Sequence, residues 1–201
     1  MLRHKYDYII EIFFESNNLQ YLNFSRNQIT KIKYNSFIGL KNLKVLYLND
    51  NQITEIKDNS FASLKNLQEL HLVCNKITEI SGNSFTGLNY LQQLSLGHNQ
   101  ITEIKENSFT GLINLLELNL GYNQIIELKD NSFSGLSYLL RLFLNHNRIT
   151  KMKGNPFTGL NYLRKLDLRN NQITKSFMSR LKTFIKIILM KFFLFNKIQL
   201  K

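Results

Sequence analysis

The chain has 201 residues, of which 43% are hydrophobic, and it contains nine Gly and one Pro. This composition can fill a core, and it excludes collagen-like and low-complexity chains. Its one cysteine, Cys74, excludes an internal disulfide framework. The formal charge of +12 is uneven, with −4 on residues 43–138, +7 on residues 139–175 and +6 on residues 176–201. Nucleic-acid binding, which favours a basic stripe along the molecule, is therefore not expected.

Residues 1–18 are predicted to form a degenerate partial repeat. Phe13 lies 24 residues before Phe37, which is the spacing of the repeats described below. The segment does not have the form of a secretory signal, since its apolar stretch over residues 8–14 is short and contains Glu11. No run of about 18 uncharged apolar residues occurs, so a standard transmembrane helix is not expected.

A pattern of leucine, asparagine, isoleucine and phenylalanine then recurs every 24 residues. The unit that begins at Leu43 reads L-x-x-L-x-L-x-x-N-x-I, and it continues to Phe61 and Leu64. Seven such units, over residues 19–175, begin at equivalent leucines: Leu19, Leu43, Leu67, Leu91, Leu115, Leu139 and Leu163. The L-x-L alternation predicts a short strand with one buried face. Because no unit can bury that face alone, we expect the units to stack into a solenoid with a parallel sheet.

Two other columns of the repeat predict how the units are held together. An asparagine follows each strand: Asn27, Asn51, Asn75, Asn99, Asn123, Asn147 and Asn171. Its amide both donates and accepts, so it can satisfy the backbone where the chain turns into the core. A phenylalanine occupies the far side of six units: Phe37, Phe61, Phe85, Phe109, Phe133 and Phe157. These rings are predicted to stack as an aromatic spine under the convex side.

This pattern resembles the typical 24-residue class of leucine-rich repeats, which is found in Toll-like receptors, small leucine-rich proteoglycans and variable lymphocyte receptors. The resemblance covers about residues 19–174. It implies an α/β-class solenoid in the shape of a horseshoe, with a concave parallel β-sheet and a mostly irregular convex side. It also implies that the concave sheet binds protein ligands. Similar repeats are often extracellular, but the compartment of this chain is not predicted.

Strand positions that face away from the core change from unit to unit, while the framework columns barely change. A polar surface with exposed aromatic residues is typical of an interface, and drift of unconstrained positions is the alternative. We predict that the following residues contact a partner: Tyr47, Glu69, His71, Gln93, Ser95, His98, Glu117, Asn119, Tyr122, Arg141, Phe143 and Lys165. The basic residues Arg141, Arg164, Lys165 and Arg169 predict a partner that is acidic opposite the C-terminal repeats.

Two chemical alternatives on the same face are weaker. Cys74, His98 and His71 come close through stacking and would be soft metal ligands, but a fourth ligand is not evident. Asp50, His71 and Ser95 suggest a hydrolase triad, yet an open sheet offers no obvious oxyanion hole. We therefore predict a protein without catalytic residues, metal or cofactor.

The tail, residues 176–201, is basic and apolar and contains no acidic residue. Ile187, Met190 and Phe192 keep the leucine register, which favours a degenerate eighth unit that caps the open end of the solenoid.

A helical interpretation of the tail is the second alternative. It predicts a basic amphipathic helix that would lay residues 177–195 on a membrane surface. Its apolar residues Leu181, Ile185, Ile188 and Phe192 would lie opposite Lys182, Lys186 and Lys197. Sequence without a selected role is the third alternative. A membrane-peripheral structural protein anchored in this way is the alternative to the protein-binding module.

Overall fold

The computed structural model describes residues 18–34 and 36–186. The partial repeat predicted for residues 1–18 lies outside the described residues except for Asn18. The same is true of Ile187, Met190 and Phe192, on which the eighth-unit interpretation of the tail depends.

The described chain is a succession of short strands and turns that repeats every 24 residues and ends in a helix. Its strands are β1 Tyr21–Asn23, β2 Val45–Tyr47, β3 Glu55–Ile56, β4 Glu69–His71, β5 Glu79–Ile80, β6 Gln93–Ser95, β7 Glu117–Asn119, β8 Glu127–Leu128, β9 Arg141–Phe143, β10 Lys151–Met152 and β11 Lys165–Asp167. The helix, α1, runs over residues 175–186.

One parallel sheet of seven strands, in the order β1-β2-β4-β6-β7-β9-β11, forms one side of the solenoid. Its register is that of the repeat, since Leu22 pairs with Leu46, and Leu46 with Leu70. The central leucine of β2, β4, β6, β7 and β9 is fully buried, while its neighbours point outward. The predicted solenoid with a parallel sheet is confirmed.

The asparagine column forms the predicted hydrogen-bond ladder. The Asn99 side chain donates to the carbonyl oxygens of Leu72, at 2.9 Å, and Leu96, at 3.0 Å. Its Oδ1 accepts from the backbone N–H of Ile77 at 3.0 Å. Each such amide thus joins its own strand to the preceding repeat, and the same pattern holds at Asn75.

The phenylalanine column is the predicted spine, with each ring almost fully buried. Consecutive ring centroids from Phe37 to Phe157 are 5.8–6.3 Å apart and the rings are nearly parallel. On this convex side the chain forms turns and two pairs of two-residue strands, β3–β5 and β8–β10. The mostly irregular convex side is therefore confirmed for the described residues.

In the part that the structure describes, the tail is a helix that packs against the repeats. Thr174 begins α1 as its cap, because its Oγ1 accepts from the Phe177 backbone N–H at 3.3 Å. Phe177, Leu181 and Phe184 are buried and belong to the same core as the repeats. The helical wheel of the sequence analysis had placed Ile185 on the apolar face, but it is 44% exposed. The buried stripe is therefore centred on a different side of the helix.

Candidate protein-binding face

The predicted contact residues of the strands lie on one surface, the outward face of the seven-stranded sheet, here called the concave face. They are the third residue of β2, the first and third residues of β4, β6, β7 and β9, and the first residue of β11. Arg141 and Lys165 are exposed and most others are half-buried. Ser95 is an exception, because only 6% of it is exposed. It forms part of the floor of this face, and a partner would contact its larger neighbours instead.

His98 and Tyr122 belong to a ridge beside the strands, formed by the residue before each ladder asparagine. All seven ridge residues have a left-handed backbone, with φ between 54° and 59°: Arg26, Asp50, Cys74, His98, Tyr122, His146 and Asn170. This conformation lifts the side chains out of the core, and they are exposed. The periodicity of leucine and asparagine did not predict this conformation, because residues other than glycine seldom adopt a left-handed backbone.

Aromatic rings on this surface are stacked between repeats. Tyr122 is sandwiched by His98 and His146, with both centroid separations at 4.1 Å. Tyr47 and His71 stack at 4.6 Å. The 24-residue spacing could have predicted these pairs, because residues that share a column are neighbours across a parallel sheet.

Charged side chains are also paired on this surface. Arg141 Nε donates to the Glu117 carboxylate on the neighbouring strand. The ammonium of Lys165 lies 4.8 Å from the centre of the Phe143 ring, as a cation–π contact.

Asp167, at the end of β11, is buried beneath the exposed Arg169. Arg169 donates two hydrogen bonds from its guanidinium and one from its backbone N–H. These bonds outweigh the effect of burial and lower the pKa of Asp167.

A depression of about 220 Å³ lies in the middle of the concave face, and sequence analysis did not predict it. Here Gly97 and Gly121 replace the side chains that Val73 and Asn145 supply in the flanking repeats. Five of the predicted contact residues line it: His98, Glu117, Asn119, Tyr122 and Phe143. Aligning the repeats with one another could have revealed the depression, because glycine occupies the same column in two consecutive repeats.

The metal and hydrolase alternatives do not gain support from the geometry. The described residues contain no group of three or more His, Cys, Asp or Glu side chains that could hold a metal ion. Partial burial raises the pKa of the Cys74 thiol, and the nearby Asp50 carboxylate raises it further, which disfavours a thiolate ligand. The His71 ring contacts Glu69 at 3.1 Å and stacks on Tyr47, so its described contacts are not those of a triad.

No helix among the described residues has both the length and the apolar character to span a membrane.

A parallel sheet, an asparagine ladder and a phenylalanine spine with one common period define a solenoid of leucine-rich repeats. The leucine rich repeat family model matches residues 10–53, 41–101, 65–125, 90–149 and 113–173. The chain belongs to this family.

Solved structures show the same fold. A chain of the TLR13–ssRNA13 complex aligns with a TM-score of 0.76 and 34% identity, over 81% of this chain and 24% of that chain. A chain of the mouse RP105/MD-1 complex aligns with a TM-score of 0.71 and 25% identity, over 80% of this chain and 28% of that chain. The present chain thus spans about a quarter of the length of these receptors. A search of curated proteins found no significant match.

Proposed function

We propose that the chain is a non-catalytic protein-binding module whose concave face holds a protein ligand. This proposal rests on the preorganisation of the side chains on the concave face. Side chains on this face are fixed by contacts between repeats, as in the Tyr122 stack and the Glu117–Arg141 pair. Since they are already ordered, a partner that binds them loses less conformational entropy on association.

The charges of the face indicate how a partner would be oriented. Glu69 lies on β4, whereas Arg141 and Lys165 lie on β9 and β11, next to the exposed Arg164. A partner that is acidic opposite the C-terminal repeats complements this arrangement. The mixture of signs favours a protein over a nucleic acid, although the TLR13 structure is a complex with RNA. The experiment that tests the proposal must therefore also be able to detect an RNA ligand.

Site-specific photocrosslinking tests the choice of surface. A photoreactive phenylalanine analogue replaces Gln93 on the concave face or, as the matched control, Lys57 on the convex side. We expect a protein adduct at position 93 alone, and we expect Arg141→Glu with Lys165→Glu to weaken binding of the purified partner without lowering the melting temperature. Equal adducts at both positions, or an adduct with RNA, would refute the proposal.

The membrane-peripheral alternative requires an apolar stripe on the tail helix that is free to contact lipid. The described residues of α1 bury Phe177, Leu181 and Phe184 in the core, so this apolar stripe is not free to enter a bilayer. Sedimentation with liposomes that contain anionic lipid, of the full chain against residues 1–175, tests what remains. If the full chain sediments and the truncated chain does not, the tail is a membrane anchor.

A further inference from the structure

The depression on the concave face is formed by glycines that the backbone itself does not require. Neither Gly97 nor Gly121 is among the residues with positive φ, so an L-residue could adopt either conformation. What glycine provides here is room for two neighbouring side chains. A Cβ atom on Gly121 would lie 2.9 Å from Asn145 Oδ1 and 3.2 Å from Asn119 Oδ1, closer than such atoms normally approach. Because both asparagines line the depression, a side chain at this position would displace them and change its shape.

We propose that this depression, here called the socket, receives one aromatic side chain of the partner, of the tyrosine or tryptophan type. The inference rests on the proposed function, because it names the residue that anchors the partner. The socket is bounded by Gly97, Glu117, Asn119, Gly121, Tyr122 and Phe143.

Its size indicates a single side chain. The volume of about 220 Å³ is below the range of roughly 300–1,000 Å³ that is typical of pockets for small molecules. The strand residues that line the socket belong to β7 and β9, and Gly97 follows β6, so the socket lies near the middle of the seven-stranded sheet. Anchor residues of protein interfaces concentrate near the centre, where surrounding contacts exclude water.

The lining selects for an aromatic group with a hydrogen-bond donor. Phe143 provides ring surface, while Tyr122, whose two faces are covered by His98 and His146, is held rigid and leaves only its edge and hydroxyl group for a ligand. Glu117 and Asn145 contribute acceptor oxygens, and a buried tyrosine O–H or tryptophan N–H needs such a partner. A lysine or arginine is less suitable, because the Arg141 guanidinium already pairs with Glu117 and would repel a second cation.

Binding of amino-acid amides to the full-length, ¹⁵N-labelled chain tests the socket without a known partner. The probes are N-acetyl-tyrosinamide and N-acetyl-tryptophanamide, with the leucine and arginine amides as controls. We expect saturable shifts of the Gly97 and Gly121 amide signals, with a dissociation constant on the order of 1–10 mM for so few atoms. Equal binding of the leucine amide, or tighter binding of the arginine amide, would overturn the proposal.

Substitutions in the socket test whether the amino-acid amides bind there. Gly97→Val introduces the residue present at position 73 of the preceding repeat, and Phe143→Ala removes a wall without adding bulk. Each should weaken binding at least fivefold, while Tyr47→Ala, in the same column as Phe143 but on β2, should leave it unchanged. Binding that persists in both socket variants would contradict the assignment. If a partner is captured through the charged residues but ignores both socket variants, the proposed function stands and this inference fails.

Discussion

The ring of Phe184 stacks on the ring of Phe157, with their centroids 4.9 Å apart. Phe157 ends the spine of the repeats, and Phe184 follows it by 27 residues instead of 24. The helix α1 therefore continues the aromatic core with a different backbone, in the place where the seventh unit would have its convex segment. Because the end of a solenoid has no following repeat, such cover is what terminal repeats need.

Phe184→Ala should consequently destabilise the protein by about 2–4 kcal/mol, as is common for large-to-small changes in a core. Ile185→Ala, at the adjacent and 44% exposed position, is the matched control and should cost less than about 1 kcal/mol. Urea unfolding measures both changes. Hydrogen exchange should quicken first in the last two repeats, and equal effects of the two variants would show that α1 does not cap the core.

Asn99→Ala tests the ladder in the middle of the stack. The substitution leaves the Ile77 N–H and the Leu72 carbonyl without their amide partner, in a region where Asn99 is only 7% exposed. We expect a loss of about 2–4 kcal/mol, since each unpaired buried group costs roughly 1–3 kcal/mol. Gln100→Ala, one residue later and exposed, should cost under about 0.5 kcal/mol. Similar melting temperatures for the two variants would contradict the structural role of the column.

The framework could be predicted from sequence because each of its columns repeats the same physical requirement. Asn99 satisfies the same backbone groups as Asn75, and Phe85 packs in the same environment as Phe109. Repetition identified these residues without any knowledge of side-chain geometry. Phe184 escaped prediction for the converse reason, since a helical segment changes the spacing from 24 to 27 residues.

The candidate site could be predicted from the sequence only in part. The positions of Glu117 and Arg141 on one face followed from the strand period, and their pairing follows from adjacent strands. The burial of Ser95 could not be read from its column, because it depends on the size of the neighbouring side chains. The socket likewise depends on what Gly97 and Gly121 lack, and a search for chemical groups overlooks missing side chains.

Asp167 should make the stability of the C-terminal repeats depend on pH. Hydrogen bonds from Arg169 lower the pKa of this buried carboxyl below its unfolded value of about 3.9. The stabilisation is therefore fully present above the unfolded pKa, and it is lost as the pH falls through the lower, folded value. In urea titrations from pH 7 to pH 2.5, the advantage of the wild type over Asp167→Asn should shrink from about pH 5 downward. Arg169→Gln should reduce this dependence, and a difference that is constant with pH would refute the linkage.

The last prediction concerns Gly154, whose left-handed backbone has a φ of 60°. A Cβ atom at this position would collide with the carboxylate of Asp130, which accepts a hydrogen bond from the Asn155 backbone N–H at 2.6 Å. Gly154→Ala should therefore cost about 2–4 kcal/mol, from left-handed strain of roughly 1–2 kcal/mol together with the displaced carboxylate. Gly159→Ala is the matched control, because φ is 87° and nothing lies within 4 Å of the added atom. Gly159→Ala should therefore lower the stability through backbone strain alone.

A double-mutant cycle separates the two contributions at Gly154. In the Asp130→Ala background the collision is absent, so Gly154→Ala should cost only about as much as Gly159→Ala does in the wild type. The coupling between positions 130 and 154, measured by urea unfolding of the four proteins, should then be about 1–2 kcal/mol. A coupling near zero would mean that the Asp130 carboxylate moves aside freely, and that the glycine is required for its backbone conformation alone.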